Sequence, residues 1–126
     1  MDTIGATLAR VQPGIVEVAL TYRADLTQQH GFLHAGIVAT ILDSACGYAA
    51  FSLMAANVAV LTVEYKINLL RPAQGDRFIA RGEVVRAGQT ITVCSGAVFA
   101  QGSDEKQIAT MLATVFASPE RDGLRQ

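Results

Sequence analysis

Residues 35–56 form an almost wholly apolar run that is too long for a β-strand. The run is rich in Ala, Ile, Leu and Met, which favour helix. Asp43 lies near its middle, where a carboxylate would cost ~2.5–3.5 kcal/mol in a bilayer. The run therefore predicts one long helix buried inside a folded protein. Gly47 lies within it, where glycine costs ~1 kcal/mol relative to alanine unless something packs closely there.

Apolar and polar residues alternate on both sides of this run, which is typical of half-buried strands. Residues 15–22 predict one strand, with Val16, Val18, Leu20 and Tyr22 on its apolar face. Residues 59–69 predict a long, half-exposed strand, with Ala59, Leu61, Val63, Tyr65, Ile67 and Leu69 on one face and Thr62, Glu64, Lys66 and Asn68 on the other. Further strands are predicted at residues 77–86, 90–101 and 107–117, and a short helix at residues 2–10.

The short connections between the later strands favour antiparallel neighbours. The predicted architecture is therefore α+β, with one antiparallel sheet wrapped around one long helix. A chain of 126 residues has room for a single domain, expected to span 1–126. Its 51% hydrophobic and 17% charged content excludes a disordered chain and suggests that partners cover part of the surface.

Charge, cysteines and the amino terminus exclude several other classes. A net charge of −1 argues against nucleic-acid binding. Cys46 and Cys94 lie far apart without a C-x-x-C pair, so buried free thiols are expected rather than a disulfide scaffold. No signal peptide is visible at residues 1–5, and we expect a cytoplasmic protein that does not enter the membrane.

Asp43 is the only formally charged residue between Asp25 and Glu64. A carboxylate among apolar residues loses water, which strengthens it as a base or nucleophile unless it finds hydrogen-bond donors. The alternative is a structural aspartate that faces a partner helix. The residues alone leave both interpretations open.

The predicted helix opens on His30-Gly31-Phe32-Leu33-His34-Ala35-Gly36. Small residues here give a ligand access to the first free backbone N–H groups, which suit a developing oxyanion. The two histidines have a spacing that binds zinc when both lie on one helix. Gly31 intervenes and no glutamate accompanies them, so we expect no metal and no other cofactor. His34 is expected to cap the helix or pack rather than to act as a general base.

These residues resemble a known family. Gln28 to Gly36, followed by Ile41-Leu42-Asp43, is similar to the hotdog-fold acyl-CoA thioesterases of the phenylacetic-acid-degradation and 4-hydroxybenzoyl-CoA type. In that family an Asn or Gln precedes a His-Gly-Gly helix start, and an Asp or Glu follows nine residues after the histidine. The stretch from Thr62 to Ala73, with its Arg71-Pro72 turn, also matches. The resemblance covers nearly the whole chain and implies a five- to six-stranded antiparallel sheet around the central helix.

The resemblance also implies roles for single residues. Asp43 would activate water or attack the thioester carbonyl, and the Ala35 N–H would hold the oxyanion. Ala35 stands where the family usually has glycine, and Gln28 stands where many members have asparagine. Gln28 would orient water or the carbonyl, His34 would organise the loop, and Thr62 would supply a hydroxyl.

The substrate would be an acyl-CoA or aryl-CoA. Gly36 would leave room for it, and its acyl group would lie against Tyr48 and Phe51. Arg71, Arg81 and Arg86 are candidates for contacts with the coenzyme A phosphates. Tyr48 and Phe51 could equally be ordinary core residues, and for any one of the arginines a solvated strand-face or turn position is the favoured interpretation.

Ala35 and Asp43 lie eight residues apart, which separates them by ~12 Å along one helix. One carbonyl cannot contact both, so the carboxylate must come from a second chain. We therefore expect a homodimer with sites at its interface, as the resemblance also implies, and family members commonly pair such dimers into tetramers. Two alternatives remain: a hotdog-fold dehydratase or hydratase, which the nine-residue spacing disfavours, and a non-catalytic acyl-CoA binding domain.

Overall fold

Six antiparallel strands and one long α-helix make up the computed structural model, which describes residues 2–55 and 57–119. The elements are β1 (Thr7–Gln12), β2 (Ile15–Thr21), α1 (Ala35–Phe51), β3 (Val58–Leu69), β4 (Arg77–Ala87), β5 (Ile91–Gln101) and β6 (Glu105–Pro119). They form one sheet in the order β1-β2-β4-β5-β6-β3. This confirms the predicted α+β architecture. Within the described residues, no helix is both long and apolar enough to cross a bilayer.

The helix α1 packs against one face of the sheet and forms the core with it. The alternation in β2 turns Val16, Val18 and Leu20 inward, and all three are fully buried. Burial of one large apolar side chain contributes ~1.5–3 kcal/mol, so this layer dominates the stability of the fold. The helix buries Val38, Ile41, Leu42, Ala45, Cys46, Ala49 and Ala50.

Two paired glycines let the helix lie close to the sheet. Gly82 on β4 pairs with Gly96 on β5, directly beneath α1. A Cβ atom at Gly82 would lie 2.5 Å from the backbone of Ala45, and one at Gly96 would lie 2.6 Å from Leu42 Cδ1. The helix therefore rests on bare backbone at this point.

The helix is shorter than predicted, because it ends at Phe51 rather than at residue 56. Ser52 caps it: its hydroxyl donates to the Ala49 carbonyl at 2.6 Å and accepts from the Gly14 N–H at 2.8 Å. The chain then turns through Leu53 and Met54. Position 56 itself lies outside the described residues.

The prediction of a helix over residues 2–10 is wrong. A single 3-10 turn covers Asp2–Ile4, and β1 pairs with β2. Five of the six residues of β1 are exposed, so no apolar period marks it as a strand. Tyr22, predicted on the inner face of β2, lies one residue beyond that strand and is 37% exposed.

The strand β3 is half-exposed, as predicted, but its faces are not the ones the alternation predicts. A register shift between Thr62 and Glu64 marks a bulge, and a bulge changes which residues point inward. Before it, Val60 packs against the core and Leu61 is 62% exposed; after it, Ile67 packs against the core. The predicted apolar face is therefore right for Ile67 and wrong for Leu61.

Candidate active site

The start of α1 is capped by His34. Its backbone is extended (φ −62°, ψ 138°), and its Nδ1 accepts a hydrogen bond from the Gly36 N–H at 2.9 Å. Its carbonyl accepts from the N–H groups of Ile37 and Val38. Among the described residues, no group accepts a hydrogen bond from the Ala35 N–H. This N–H lies at the positive end of a 17-residue helix and is a ready donor to an anionic oxygen.

A tight loop carries Gln28 to the same end of the helix. The Gln28 N–H donates to the Phe32 carbonyl at 2.9 Å, and the Leu33 N–H donates to the Ala73 carbonyl at 3.0 Å. His30 and Gly31 both have positive φ, at 71° and 78°. Such backbone in a non-glycine residue costs free energy and persists where its surroundings fix it. The backbone hydrogen bonds of Gln28 and Leu33 hold the loop in this conformation.

The Tyr22 hydroxyl adds a further tie to this loop. It donates at 3.1 Å to the carbonyl of Gly31, the second residue of the positive-φ pair. Tyr22 therefore connects the end of β2 to the loop that carries Gln28.

A cleft of ≈ 320 Å³ opens at the helix start, and we name it the helix-mouth cleft. Gln28, Ala35 and Arg71 line it together. The other lining residues are mostly apolar: Leu33, Val38, Leu69, Leu70, Pro72, Ala73 and Ile108. The structure thus brings together three of the residues that the sequence nominated, and Gly36 follows directly after Ala35.

The second group of nominated residues lies around Asp43. Thr62 on β3 donates its hydroxyl to Asp43 Oδ1 at 2.8 Å, and the carboxylate is half-buried. An open cleft of ≈ 380 Å³, the Asp43 cleft, runs beside this pair. Tyr48 and Phe51 line it and are each 44% exposed. Thr62 fixes one carboxylate oxygen, and the other has no hydrogen-bond partner among the described residues.

The two clefts share no lining residue. Ala35 lines one and Asp43 the other, and eight helical residues place them ~12 Å apart along the axis. Within one chain, therefore, the free N–H and the carboxylate cannot contact the same carbonyl group.

The nominated arginines lie in different places. The Arg71 guanidinium donates from Nη1 to the Gln107 carbonyl at 2.9 Å and borders the helix-mouth cleft. Arg81 lies near Glu83, with 3.9 Å between Nη2 and Oε1. Arg86 is exposed on β4 opposite Val93 and lines neither cleft. Of the three, only Arg71 lies beside a nominated site.

A third cleft, of ≈ 620 Å³, adjoins Arg71 on its other side. Lys106 lies there with Arg71, against Asp76 and Asp104. Two cationic and two acidic side chains therefore line this cleft, which has no excess of positive charge.

Sequence reasoning missed several lining residues. Ser44, Gly47, Val58, Ala59 and Val60 complete the Asp43 cleft. Gly47 could have been recognised from the sequence, because a glycine inside a helix is unfavourable unless something packs closely there. The β3 residues carried none, because the bulge that turns them is not visible in the alternation. Among the described residues, no three His, Cys, Asp or Glu side chains gather as a metal site would require.

The sequence also matches a known protein family. The family model described as thioesterase superfamily matches residues 30–107, more than half of the chain. The chain belongs to the thioesterase superfamily. The matched segment of this thioesterase-superfamily chain contains the helix start from His30 onward, Asp43 and Thr62.

Solved structures of thioesterase-superfamily proteins share the fold. A thioesterase family protein from Silicibacter pomeroyi is 55% identical, with a TM-score of 0.94 over 95% of this chain and 89% of that chain. The Escherichia coli PaaI protein, from the phenylacetic acid degradation operon, is 23% identical, with a TM-score of 0.82 over 91% and 80%. At that identity the likeness to PaaI shows the fold alone. The predicted hotdog fold is confirmed.

Curated relatives of this thioesterase-superfamily chain carry provisional esterase names. One from Halobacterium salinarum is 36% identical over 100 residues, which cover 74% of this chain and 64% of that protein. One from Saccharolobus solfataricus is 35% identical over 83 residues, or 66% of this chain and 59% of that protein. The chain therefore spans less than two thirds of the length of these relatives.

Proposed function

We propose that this protein hydrolyses an acyl-CoA thioester to the free acid and coenzyme A, at sites shared between two protomers of a homodimer. The observation that carries the proposal is the pairing of two features. A half-buried carboxylate, Asp43, has one oxygen fixed by Thr62. The Ala35 N–H, for which the described part of the chain offers no acceptor, lies at the start of the same helix. Both are what acyl transfer to water needs.

The chemical step uses Asp43 in one of two ways. As a base it takes a proton from water, and the resulting hydroxide attacks the thioester carbonyl. As a nucleophile it attacks the carbonyl itself and forms a mixed anhydride, which water then opens. In both cases the C–S bond breaks, its electron pair leaves with sulfur, and the coenzyme A thiolate is protonated.

The oxyanion that forms during attack would be bound by the Ala35 N–H. The aligned dipoles of α1 add positive potential at this position. Gln28, which lines the same cleft, would orient the carbonyl or the water. Arg71 at the cleft border is a candidate for contact with the coenzyme A phosphates. Gly36 does not line this cleft, and a Cβ atom there would lie 3.1 Å from His34 Nδ1, so the missing side chain makes room for the capping imidazole.

The shared site follows from the separation of the two clefts. The strand β3 is a terminal strand of the sheet, and Thr62 ties Asp43 to it. An unpaired strand edge with exposed apolar side chains invites pairing with another chain, and Leu61, Val63 and Tyr65 are 62%, 57% and 43% exposed. A partner docked at this edge would bring its helix mouth to Asp43. A two-fold dimer would then hold two identical sites.

Thiol release from a panel of acetyl, hexanoyl, long-chain and aryl CoA thioesters tests the activity. The Asp43→Asn variant should lose at least ~10³-fold in kcat/KM, because the amide is neither a base nor a nucleophile. Glu83→Gln removes a carboxylate outside both clefts and is the matched control, expected to keep the native rate. Native turnover by the Asp43→Asn variant would refute the assignment. Tight binding of the thioesters without release by the native protein would instead support an acyl-CoA binding domain.

A further inference from the structure

Gly47 lies within the helix, and neither its backbone conformation nor a close contact within the chain requires a glycine there. The glycines with positive φ are Gly5, Gly14 and Gly31, and Gly47 is not one of them. Among the described residues, no atom beyond its neighbours and its own helix backbone comes within 4 Å of where a Cβ would lie. Gly82 differs, because there the helix backbone fills that space.

The open space beside Gly47 belongs to the Asp43 cleft. Gly47 lies four residues after Asp43 and four before Phe51, so the three share one face and follow each other at ~6 Å intervals along the helix. The polar end of the cleft is the Asp43–Thr62 pair. Its apolar walls are Tyr48 and Phe51 on the helix and Val58, Ala59 and Val60 on β3.

We propose that Gly47 is a specificity-determining residue: the acyl group of the substrate lies across it, and its missing side chain sets how bulky an acyl group fits beside Asp43. This inference rests on the proposed thioesterase function and names the part of the substrate that the Asp43 cleft receives. An acyl group whose carbonyl lies at Asp43 must extend in some direction. Along the helix, the apolar path past Gly47 leads to Phe51.

The competing occupant of the space is a helix of the partner protomer. A helix pressed onto Gly47 would fill the ≈ 380 Å³ cleft and close Asp43 off from any carbonyl. The proposed reaction needs a carbonyl at Asp43, and the apolar lining leads along Gly47 to that fixed carboxylate, so we assign the space to the acyl group.

Enlarging residue 47 tests the inference by turnover. We would compare Gly47→Ala and Gly47→Leu with the native protein, using phenylacetyl-CoA and acetyl-CoA as substrates. The ratio of kcat/KM for phenylacetyl-CoA over acetyl-CoA should fall ~10-fold with alanine and ~100-fold or more with leucine, since pocket volume discriminates by such factors. Ala87→Leu adds bulk at an exposed residue that lines none of the three clefts described above and should leave the ratio unchanged. The Tm of Gly47→Ala should rise by ~2–6 °C, because the helix gains a better former without a clash.

A binding measurement keeps the test independent of turnover. In the Asp43→Asn background, the Kd of phenylacetyl-CoA, measured by calorimetry, should rise at least ~10-fold when Gly47→Leu is added. The Kd of coenzyme A alone should change far less, because it has no acyl group. If the native protein releases no thiol from any thioester, the proposed function fails. The Kd measurement then still shows whether the acyl group lies against Gly47.

Two results would overturn the inference. One is an unchanged substrate ratio together with an unchanged Kd for phenylacetyl-CoA in the leucine variant. The other is a change from dimer to monomer on Gly47→Leu, measured by light scattering, since this would assign the open space to the partner protomer. A fall in the ratio with an unchanged particle mass supports the acyl assignment.

Discussion

Residue 35 is where a single backbone N–H can be removed without disturbing the helix. Ala35 is the first residue of α1, the position at which proline is best tolerated. The preceding residue, His34, has φ −62° and ψ 138°, which is the conformation that a following proline requires. Ala35→Pro therefore deletes the proposed oxyanion donor and little else.

We expect Ala35→Pro to lower kcat ~10²–10³-fold, the usual effect of losing one oxyanion donor. Ala35→Gly is the matched control: it keeps the N–H and should lose far less activity. Circular dichroism and Tm would show that both variants keep the helix. A proline variant with the native kcat would exclude this N–H from the chemistry.

The two buried cysteines should make the free energy of unfolding depend on pH. Burial raises the pKa of the Cys46 thiol from its ordinary 9.0 to about 12 and that of Cys94 to about 11. The native thiols thus keep protons that unfolded thiols release above pH 9. The free energy of unfolding should therefore decrease as the pH rises from about 9 towards 11, and this contribution is fully present below pH 9.

Alkylation by iodoacetamide at pH 8.5 and pH 9.5 checks this thiol assignment. In denaturant both cysteines should react, and faster at the higher pH, since the thiolate is the nucleophile. The native protein should react far more slowly at both pH values. Rapid modification of the native protein would show that one of these thiols is accessible.

For single residues, the sequence identified candidates best in segments with few charged residues. Asp43 could be nominated because it is the only charged residue in a long apolar stretch, and Cys46 and Cys94 are buried free thiols as predicted. The Thr62 hydroxyl could be nominated only through family resemblance. Nothing in the local pattern distinguishes Thr62 from the other polar residues of its strand.

At the scale of elements, the position of the helix depends on the glycines beneath it. Gly82→Ala would place a Cβ 2.5 Å from the Ala45 backbone, which cannot rotate away. We expect a loss of ~1–3 kcal/mol or more in the free energy of unfolding, as overpacking usually costs. Gly47→Ala is the matched control on the helix and should raise the free energy of unfolding by up to ~1 kcal/mol. Urea unfolding midpoints compare them, and a Gly82→Ala variant with native stability would contradict the packing.

Helices and strands with a strong apolar period were predictable from the sequence. The end of the helix and strand β1 were missed, because contacts between distant parts of the chain determine them. The helix and β2 show their buried faces in the sequence. The helix end depends on the Ser52 hydroxyl meeting Gly14, a contact between residues 38 apart. Strand β1 is held by pairing with β2 while its side chains are mostly exposed, so it shows no period.

At the scale of the whole molecule, the account depends on a second copy of the chain. Helix geometry alone predicted that Ala35 and Asp43 cannot meet within one protomer, and the two separate clefts agree with it. The sequence could not show which surface joins the protomers, because the exposed face of β3 depends on its bulge. It also leaves open whether dimers pair into tetramers, which the particle mass from light scattering decides.

Mixing two inactive variants tests the shared site most directly. Asp43→Asn lacks the carboxylate, and Ala35→Pro lacks the oxyanion donor. If the site takes one group from each protomer, a mixed dimer contains one intact site and one that lacks both groups. Equal amounts of the two chains, unfolded and refolded together, should recover about a quarter of the native kcat per protomer, since half of the dimers are mixed. If both groups act within one chain, the mixture will be no more active than its two parents.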